Sequence, residues 1–302
     1  MPTPSPVTYP LGGPVITNNQ ITVDLALNQP ALITRRISDI TLQKFIAPLI
    51  FSSSGQPVTG GAVRYQQATA NELYTNRDIE QRGPTDEYPT VGADRLDEKL
   101  AKVEDWGGKF AISDEAKKRN DVAELNRNTT ALSNTIVRKV NTRTIAALDA
   151  AISALGGAGT FVGKNWSTAV TNGVSPTANN ALPQSDFAKA QLLADQDELG
   201  VTYNLWIINP QEAANLATTY GPALQQLLDY YKIELFPSNR VAAGSAYVAE
   251  KGAVGFLDYE EGLTTETWRE PGKKTSWVQS YVLPVFGVTN PYSVRKVTGL
   301  AG

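Results

Sequence analysis

Trp106-Gly107-Gly108-Lys109-Phe110-Ala111-Ile112-Ser113-Asp114-Glu115 joins an apolar run to a helix start, and the rest of the chain is read outward from that junction. Ser113 is a natural N-cap, because its hydroxyl can accept from the free N–H groups of the first helical turn. Asp114 and Glu115 suit the positive end of the helix dipole. Val122, Leu125, Leu132, Ile136 and Val140 follow at close to helical spacing, and Ile145, Leu148 and Ile152 carry the stripe to Gly156-Gly157. No Pro or Gly interrupts it, so the pattern predicts one helix of roughly 40 residues, about 60 Å at the standard rise. Two helices with a kink near Asn141 satisfy the same stripe.

Upstream, Pro at positions 2, 4, 6, 10, 14 and 30 favours an extended arm from Met1 to about Pro30. A disordered tail is one reading; the alternation Ile21, Val23, Leu25 leans toward an arm that becomes ordered by lying across other chains. Ile33 to Phe51 is more apolar and breaks at Ser52-Ser53-Ser54-Gly55. Strand-like residues at Ala62-Val63-Arg64-Tyr65 and from Lys99 to Val103 then bracket a polar stretch, Gln66 to Asp97, punctuated by Arg82-Gly83-Pro84 and Glu87-Tyr88-Pro89. A loop of that length is uncommon inside a compact domain. It reads as a long two-stranded flap, with Arg82, Asp86, Glu87 and Tyr88 near its middle as candidate contacts with another chain, where Arg can engage carboxylates bidentately.

Downstream, the composition turns to Gly, Thr, Ser, Asn and Pro until Pro183. A mixed α/β region follows: a helix from Phe187 to Leu199, a buried strand Asn204-Leu205-Trp206-Ile207-Ile208, and a helix start at Asn209-Pro210-Gln211-Glu212 with Asn as N-cap and Pro first. Further helix is expected from Pro222 to Tyr231 and a strand from Ile233 to Phe236. From Ala246 the chain is strand-rich, with turns at Lys251-Gly252 and Pro271-Gly272 and alternation through Trp268, Trp277, Tyr281 and Phe286. This last part should form a small sheet packed on the long helix.

The 302 residues are 41% hydrophobic and 19% charged, the balance of a folded chain with a substantial core. A net charge of -3 lacks the basic bias of proteins that grip nucleic acid through phosphate neutralisation. The sequence has no Cys and no His, which excludes disulfides, thiolate or imidazole metal sites, and His- or thiol-based catalysis. No apolar run approaches about 18 residues, and the first 20 residues lack a signal-peptide pattern, so a membrane role is unsupported.

Gly156 to Asn165 comes closest to a phosphate loop, yet Ala158 stands where Gly is needed and Asn165 where Ser or Thr would hold magnesium. It is read as a connector. Asp258, Glu260 and Glu261 form an acidic cluster, read as a solvated turn, with a carboxylate-based hydrolase as the remote alternative. Arg35 and Arg36 are candidates for meeting a neighbouring carboxylate or phosphate. No catalytic, cofactor-binding or metal-binding residue is assigned.

The order of parts, with Lys109-Phe110-Ala111-Ile112-Ser113-Asp114-Glu115 leading into a spine helix and Trp206-Ile207-Ile208-Asn209-Pro210 in the mixed region, resembles the major capsid proteins of tailed phages with the Hong Kong 97-like fold. The resemblance implies an α+β fold with an N-terminal arm at 1–32, a connector at 33–51, an extended β-hairpin loop at 52–105, a peripheral domain with a long spine helix at 106–155 and 247–302, and a mixed α/β axial domain at 156–246. It implies self-assembly into hexamers and pentamers of an icosahedral shell around double-stranded DNA, touched weakly and non-specifically. A virion protein assembled in the host cytoplasm would also meet a portal and a separate scaffolding or cement protein. The absence of a long helical prefix before the arm fits a separate scaffolding protein, or none. An encapsulin-like nanocompartment shell is the alternative within the same fold; encapsulins begin with a helix, against which the extended arm argues.

Overall fold

The computed structural model describes residues 23–42, 45–70, 74–93 and 96–301. Helices α1 (Val23–Asn28), α2 (Pro30–Leu42) and the short α3 (Ala47–Ile50) lead to strands β1 (Phe51–Ser52), β2 (Ala62–Gln67), β3 (Asp97–Lys102) and β4 (Trp106–Ser113). Helices α4 (Asp114–Arg119) and α5 (Val122–Ala154) follow, then β5 (Thr160–Val162), α6 (Gln184–Gln196), β6 (Leu205–Ile208), α7 (Pro210–Tyr220), α8 (Ala223–Tyr231) and β7 (Glu234–Pro237). β8 (Ser245–Ala249), β9 (Gly255–Glu270), β10 (Thr275–Gly287) and β11 (Val294–Thr298) close the chain.

The chain folds as two compact units. The first takes the segment up to Phe45, Glu104–Lys139 and Glu261–Pro284; the second takes Ile46–Val103, Val140–Glu260 and Val285–Gly302. In the first, β4 pairs antiparallel with β10 from Thr275↔Ser113 to Val282↔Trp106. Because side chains alternate along a strand, Ser276, Val278, Ser280 and Val282 are buried while Trp277, Gln279 and Tyr281 point to the half-exposed face. A Cβ on Gly108 would come within 2.8 Å of Leu132 Cδ1, so α5 lies close against β4 there.

Ser113 caps α4 as its sequence suggests, its hydroxyl accepting from Ala116 N–H at 3.1 Å. The continuous helix expected after it does not form. Asn120 ends α4 in the left-handed conformation at φ 52°, and Asp121 Oδ1 accepts from Glu124 N–H at 3.0 Å to start α5. Asn tolerates this backbone at little cost and Asp is a good cap, so Asn120-Asp121 breaks a helix without Pro or Gly. α5 then runs 33 residues, about 50 Å, without a break at Asn141. Asn141 is buried, and its Oδ1 accepts from Ile46 N–H at 2.9 Å.

The extended arm is also corrected. Residues 1–22, including Ile21, lie outside the described residues, but Val23 begins α1 and is buried, and Pro30 is the first residue of α2. There the missing N–H of proline costs nothing, since the first turn of a helix has no intrahelical acceptor for it. Asn120 Oδ1 accepts from Val23 N–H at 3.0 Å, and Lys117 pairs with Asp24 at 2.7 Å. Bonds to residues distant in sequence therefore hold these residues in a helix where Pro spacing suggested extension. The connector of residues 33–51 is likewise mostly helical, through α2 and α3.

The second unit holds a five-stranded sheet in the order β5-β11-β8-β6-β7. All four residues of β6 are buried, as a continuous apolar run between covered faces requires. Trp166, Phe187 and Trp206 form its aromatic centre, with Phe187 edge-on to Trp206 at 4.7 Å. Asn209 caps α7 by accepting from Gln211 N–H at 2.9 Å, and Glu212 is buried, accepting from Gly244 N–H at 2.8 Å. β7 is an outer strand; the N–H groups of Glu234 and Ser238 point inward to Asn204 and Ile208 carbonyls, each at 2.8 Å.

Asp186 is buried beside this centre, where Oδ2 accepts from Lys164 N–H at 2.9 Å and from the Trp166 indole at 2.7 Å. Its Oδ1 has no partner. Burial pushes the carboxyl above its ordinary 3.8, against the pull of those two donors. The folded state thus holds this proton more tightly than the unfolded state does. Its contribution to stability is fully present below the unfolded value and is lost as pH rises through the raised one. Urea unfolding at a series of pH values should show this decline, and Asp186→Asn should flatten it. Separately, Ser113→Ala should cost about 1 kcal/mol of unfolding free energy, with Ser113→Asp restoring most of it.

Candidate assembly surface

A two-stranded hairpin lies within the stretch 52–105 that the sequence reads as a flap. β2 and β3 pair antiparallel from Ala62↔Lys102 to Gln67↔Asp97. Its root is held by an apolar cluster of Val58, Ala101, Phe256 and Val285, with Val63, Tyr65 and Val103 packed on it and Tyr65 edge-on to Phe256 at 5.5 Å. Ala68 N–H reaches Thr289 O at 2.7 Å. Beyond this root the described residues make mainly local bonds: a bridge between Thr75 and Ala93, Asn76 N–H to Gly92 O at 2.8 Å, and an Arg77–Glu80 pair at 2.8 Å. Tyr74 OH also donates to Glu198 at 2.7 Å.

Ile79 and Tyr88 are 80% and 72% exposed, and Leu100 on β3 is 60% exposed. Surface apolar residues scattered singly are ordinary, but several along one projection suggest a contact surface. The structure brings Arg82 over the Tyr88 ring at 4.9 Å. Asp86 N–H reaches Gly83 O at 3.3 Å across a turn containing Thr85 at φ 78°, and the Asp86 and Glu87 side chains are exposed. Arg35 and Arg36 are neighbours on α2, both exposed; Arg36 donates to Asn126 Oδ1 at 2.6 Å.

The acidic cluster differs from the solvated turn expected of it. All three residues lie in β9, and Asp258 is only 5% exposed. It accepts from Ser53 Oγ at 2.7 Å, from Ser54 N–H at 3.1 Å and from the Ser54 hydroxyl. The serine run read as a simple break therefore supplies a carboxylate with donors beside the flap root. Glu260 accepts from Gly61 N–H at 3.3 Å where β2 begins. In the Gly156–Asn165 run, Gly163 packs where a Cβ would stand 2.7 Å from Leu300 Cδ2, a close approach rather than a phosphate cradle.

The half-exposed face of the β9, β10 and β4 sheet was not singled out from the sequence. Trp268 stacks on Trp277 at 6.4 Å, and the Lys109 ammonium lies 4.8 Å from the Trp277 ring centre. Tyr281 OH lies 3.0 Å from Glu261 Oε1 and 3.3 Å from Glu266 Oε1, and these carboxylates push its pKa up to about 12. The alternation of β10 was visible, but which residues of β4 and β9 share its face depends on register.

Residues 97–297, two thirds of the chain, match the phage capsid protein family. This chain belongs to that family. No curated protein matches it significantly in sequence. In fold, the capsid protein is similar to a structure described as Mycobacterium phage Bobi, at 12% identity and TM-score 0.57 over 85% of this chain and 89% of that one. The capsid structure of the cyanophage P-SCSP1u aligns at 14% identity and TM-score 0.56, covering 85% and 88%. A virus-like particle from Pyrococcus furiosus aligns at 13% identity and TM-score 0.56, covering 89% and 99%. The α+β fold is thus the Hong Kong 97-like one, and the capsid protein is a structural, non-enzymatic component of a virion.

In such a protein Asp258 is a structural group. Asp258→Ala would remove the charge-assisted bonds that tie Ser53 and Ser54 to β9 and should cost about 1–3 kcal/mol in chemical denaturation. Limited proteolysis should show faster cleavage between residues 53 and 61, whereas Glu87→Ala in the exposed flap should leave both unchanged.

Proposed function

We propose that this is a major capsid protein whose copies form hexamers and pentamers of an icosahedral shell around packaged phage double-stranded DNA. The observation that carries the reading is the flap: a hairpin firmly rooted in its own subunit that displays Ile79 and Tyr88 to solvent. Those side chains would be covered by the neighbouring subunit in a shell. Arg82, Asp86, Glu87 and Tyr88 would then contact that neighbour, with Arg35 and Arg36 as further intersubunit contacts. In this reading residues 1–32 are the arm, 52–105 the extended loop, 106–155 and 247–302 the peripheral domain, and 156–246 the axial domain at the capsomer centre. DNA contact is weak and non-specific, consistent with the net charge of -3. Assembly takes place in the host cytoplasm, with a portal and a separate scaffolding or cement protein as further partners.

A nanocompartment shell is the second reading. The helices α1 and α2 remove the argument that an extended arm made against it, and the likeness to the Pyrococcus particle spans 99% of that chain. The family match favours the phage shell.

Gln67 and Asp97 are paired across the flap root, so a two-residue turn can replace residues 68–96. The shortened chain should keep its thermal transition within a few degrees and fail to form particles by sedimentation and negative-stain microscopy. Wild-type chain should form closed shells or capsomer rings, and shells from phage-infected cells should protect DNA from nuclease. Shells lacking DNA but holding a cargo enzyme would favour the nanocompartment; a chain monomeric under every condition would overturn both readings.

A further inference from the structure

We infer that the half-exposed face of β9, β10 and β4 is a docking surface for the hairpin turn Pro271–Lys274 of a second copy of this chain. The face carries an open groove of ≈ 610 Å³ lined by Asp105, Lys109, Glu261, Glu266, Gln279 and Tyr281 among others. Three carboxylates thus face one ammonium, and that ammonium is placed over the Trp277 and Trp268 rings at 4.8 and 5.8 Å. Tyr281 stands between Glu261 and Glu266 but has a single hydroxyl proton, so it can serve only one of them at a time. A further donor entering the groove would pair with the other in place of water.

The complementary charge sits at the far end of the same hairpin. Arg269, Lys273 and Lys274 are exposed around the turn; Arg269 is held by Asp114, while Lys273 rests on Glu270 at 3.1 Å, an exposed pair of little energetic weight. Lys274 takes the left-handed conformation at φ 50°. Lys274 and Tyr281 lie seven positions apart, on the order of 20 Å along a strand, so the turn cannot reach its own groove. A second copy can. A contact between different patches of two copies is a head-to-tail interface, which repeats from subunit to subunit. This inference rests on assembly of the chain with itself, the capsid reading.

The test compares wild-type chain with Glu261→Lys/Glu266→Lys, with Lys273→Glu/Lys274→Glu, and with all four changes together, following assembly by light scattering and sedimentation and folding by thermal melts. Either charge reversal alone should raise the concentration needed for assembly about tenfold. The four changes together should recover assembly, because each copy then offers a basic groove and an acidic turn. Reversals that assemble like wild type, or a fourfold variant as impaired as the worse single-side one, overturn the inference. Should a reversal fail to fold, Glu261→Gln/Glu266→Gln and Lys273→Gln/Lys274→Gln replace it: coupled losses support the contact and additive losses overturn it. Wild-type shells indifferent to both sides overturn this inference alone, whereas a wild-type chain that never assembles overturns the capsid reading with it.

Discussion

Eight residue pairs between β4 and β10, from Thr275↔Ser113 to Val282↔Trp106, determine which side chains of these two strands are covered. A slip of one residue would turn Val278 and Val282 outward and bury Trp277, Gln279 and Tyr281 in their place. Because β4 ends at Ser113, the same register sets the helix cap opposite Thr275. It also puts Lys109 opposite Gln279 and Gly107 opposite Tyr281, where a Cβ on residue 107 would meet Tyr281 Cβ at 2.7 Å. Glycine there is a requirement of close strand approach, independent of any turn.

Much of this arrangement was legible in the sequence because it rests on local chemistry. The Ser113 cap, the apolar run in β6, the Asn209-Pro210 helix start and the strands at either side of the flap each depend on neighbours within a few positions. The departures share a different cause. Asn120-Asp121 breaks the spine because an asparagine backbone adopts the left-handed region and an aspartate caps the next helix, a signal easily overlooked when Pro and Gly are taken as the main breakers. Val23 becomes helical through bonds to Asn120 and Lys117–Asp24, nearly a hundred positions apart in sequence.

The candidate contacts divide in the same way. Arg82 and Tyr88 come together through a short loop, within reach of sequence reasoning. Asp258 gave no local sign that it would be buried against Ser53 and Ser54, some 200 residues away. The Tyr281 groove is invisible in any one segment, since it is assembled from β4, β9 and β10 and exists only once their register is known. Long-range pairing, rather than residue type, is what the sequence leaves implicit.

β7 carries a further consequence. Since the amides of Glu234 and Ser238 point inward, the alternate positions Leu235 and Pro237 face the free edge, and Pro237 has no N–H to offer. Among the described residues, the β7 edge of the five-stranded sheet therefore presents an interrupted row of donors to any passing strand. For a polypeptide that must gather many copies at high local concentration, this matters: ladder growth from rim to rim is open-ended and competes with closure. A single imino acid at this rim interrupts the row and so works against growth of a ladder from rim to rim.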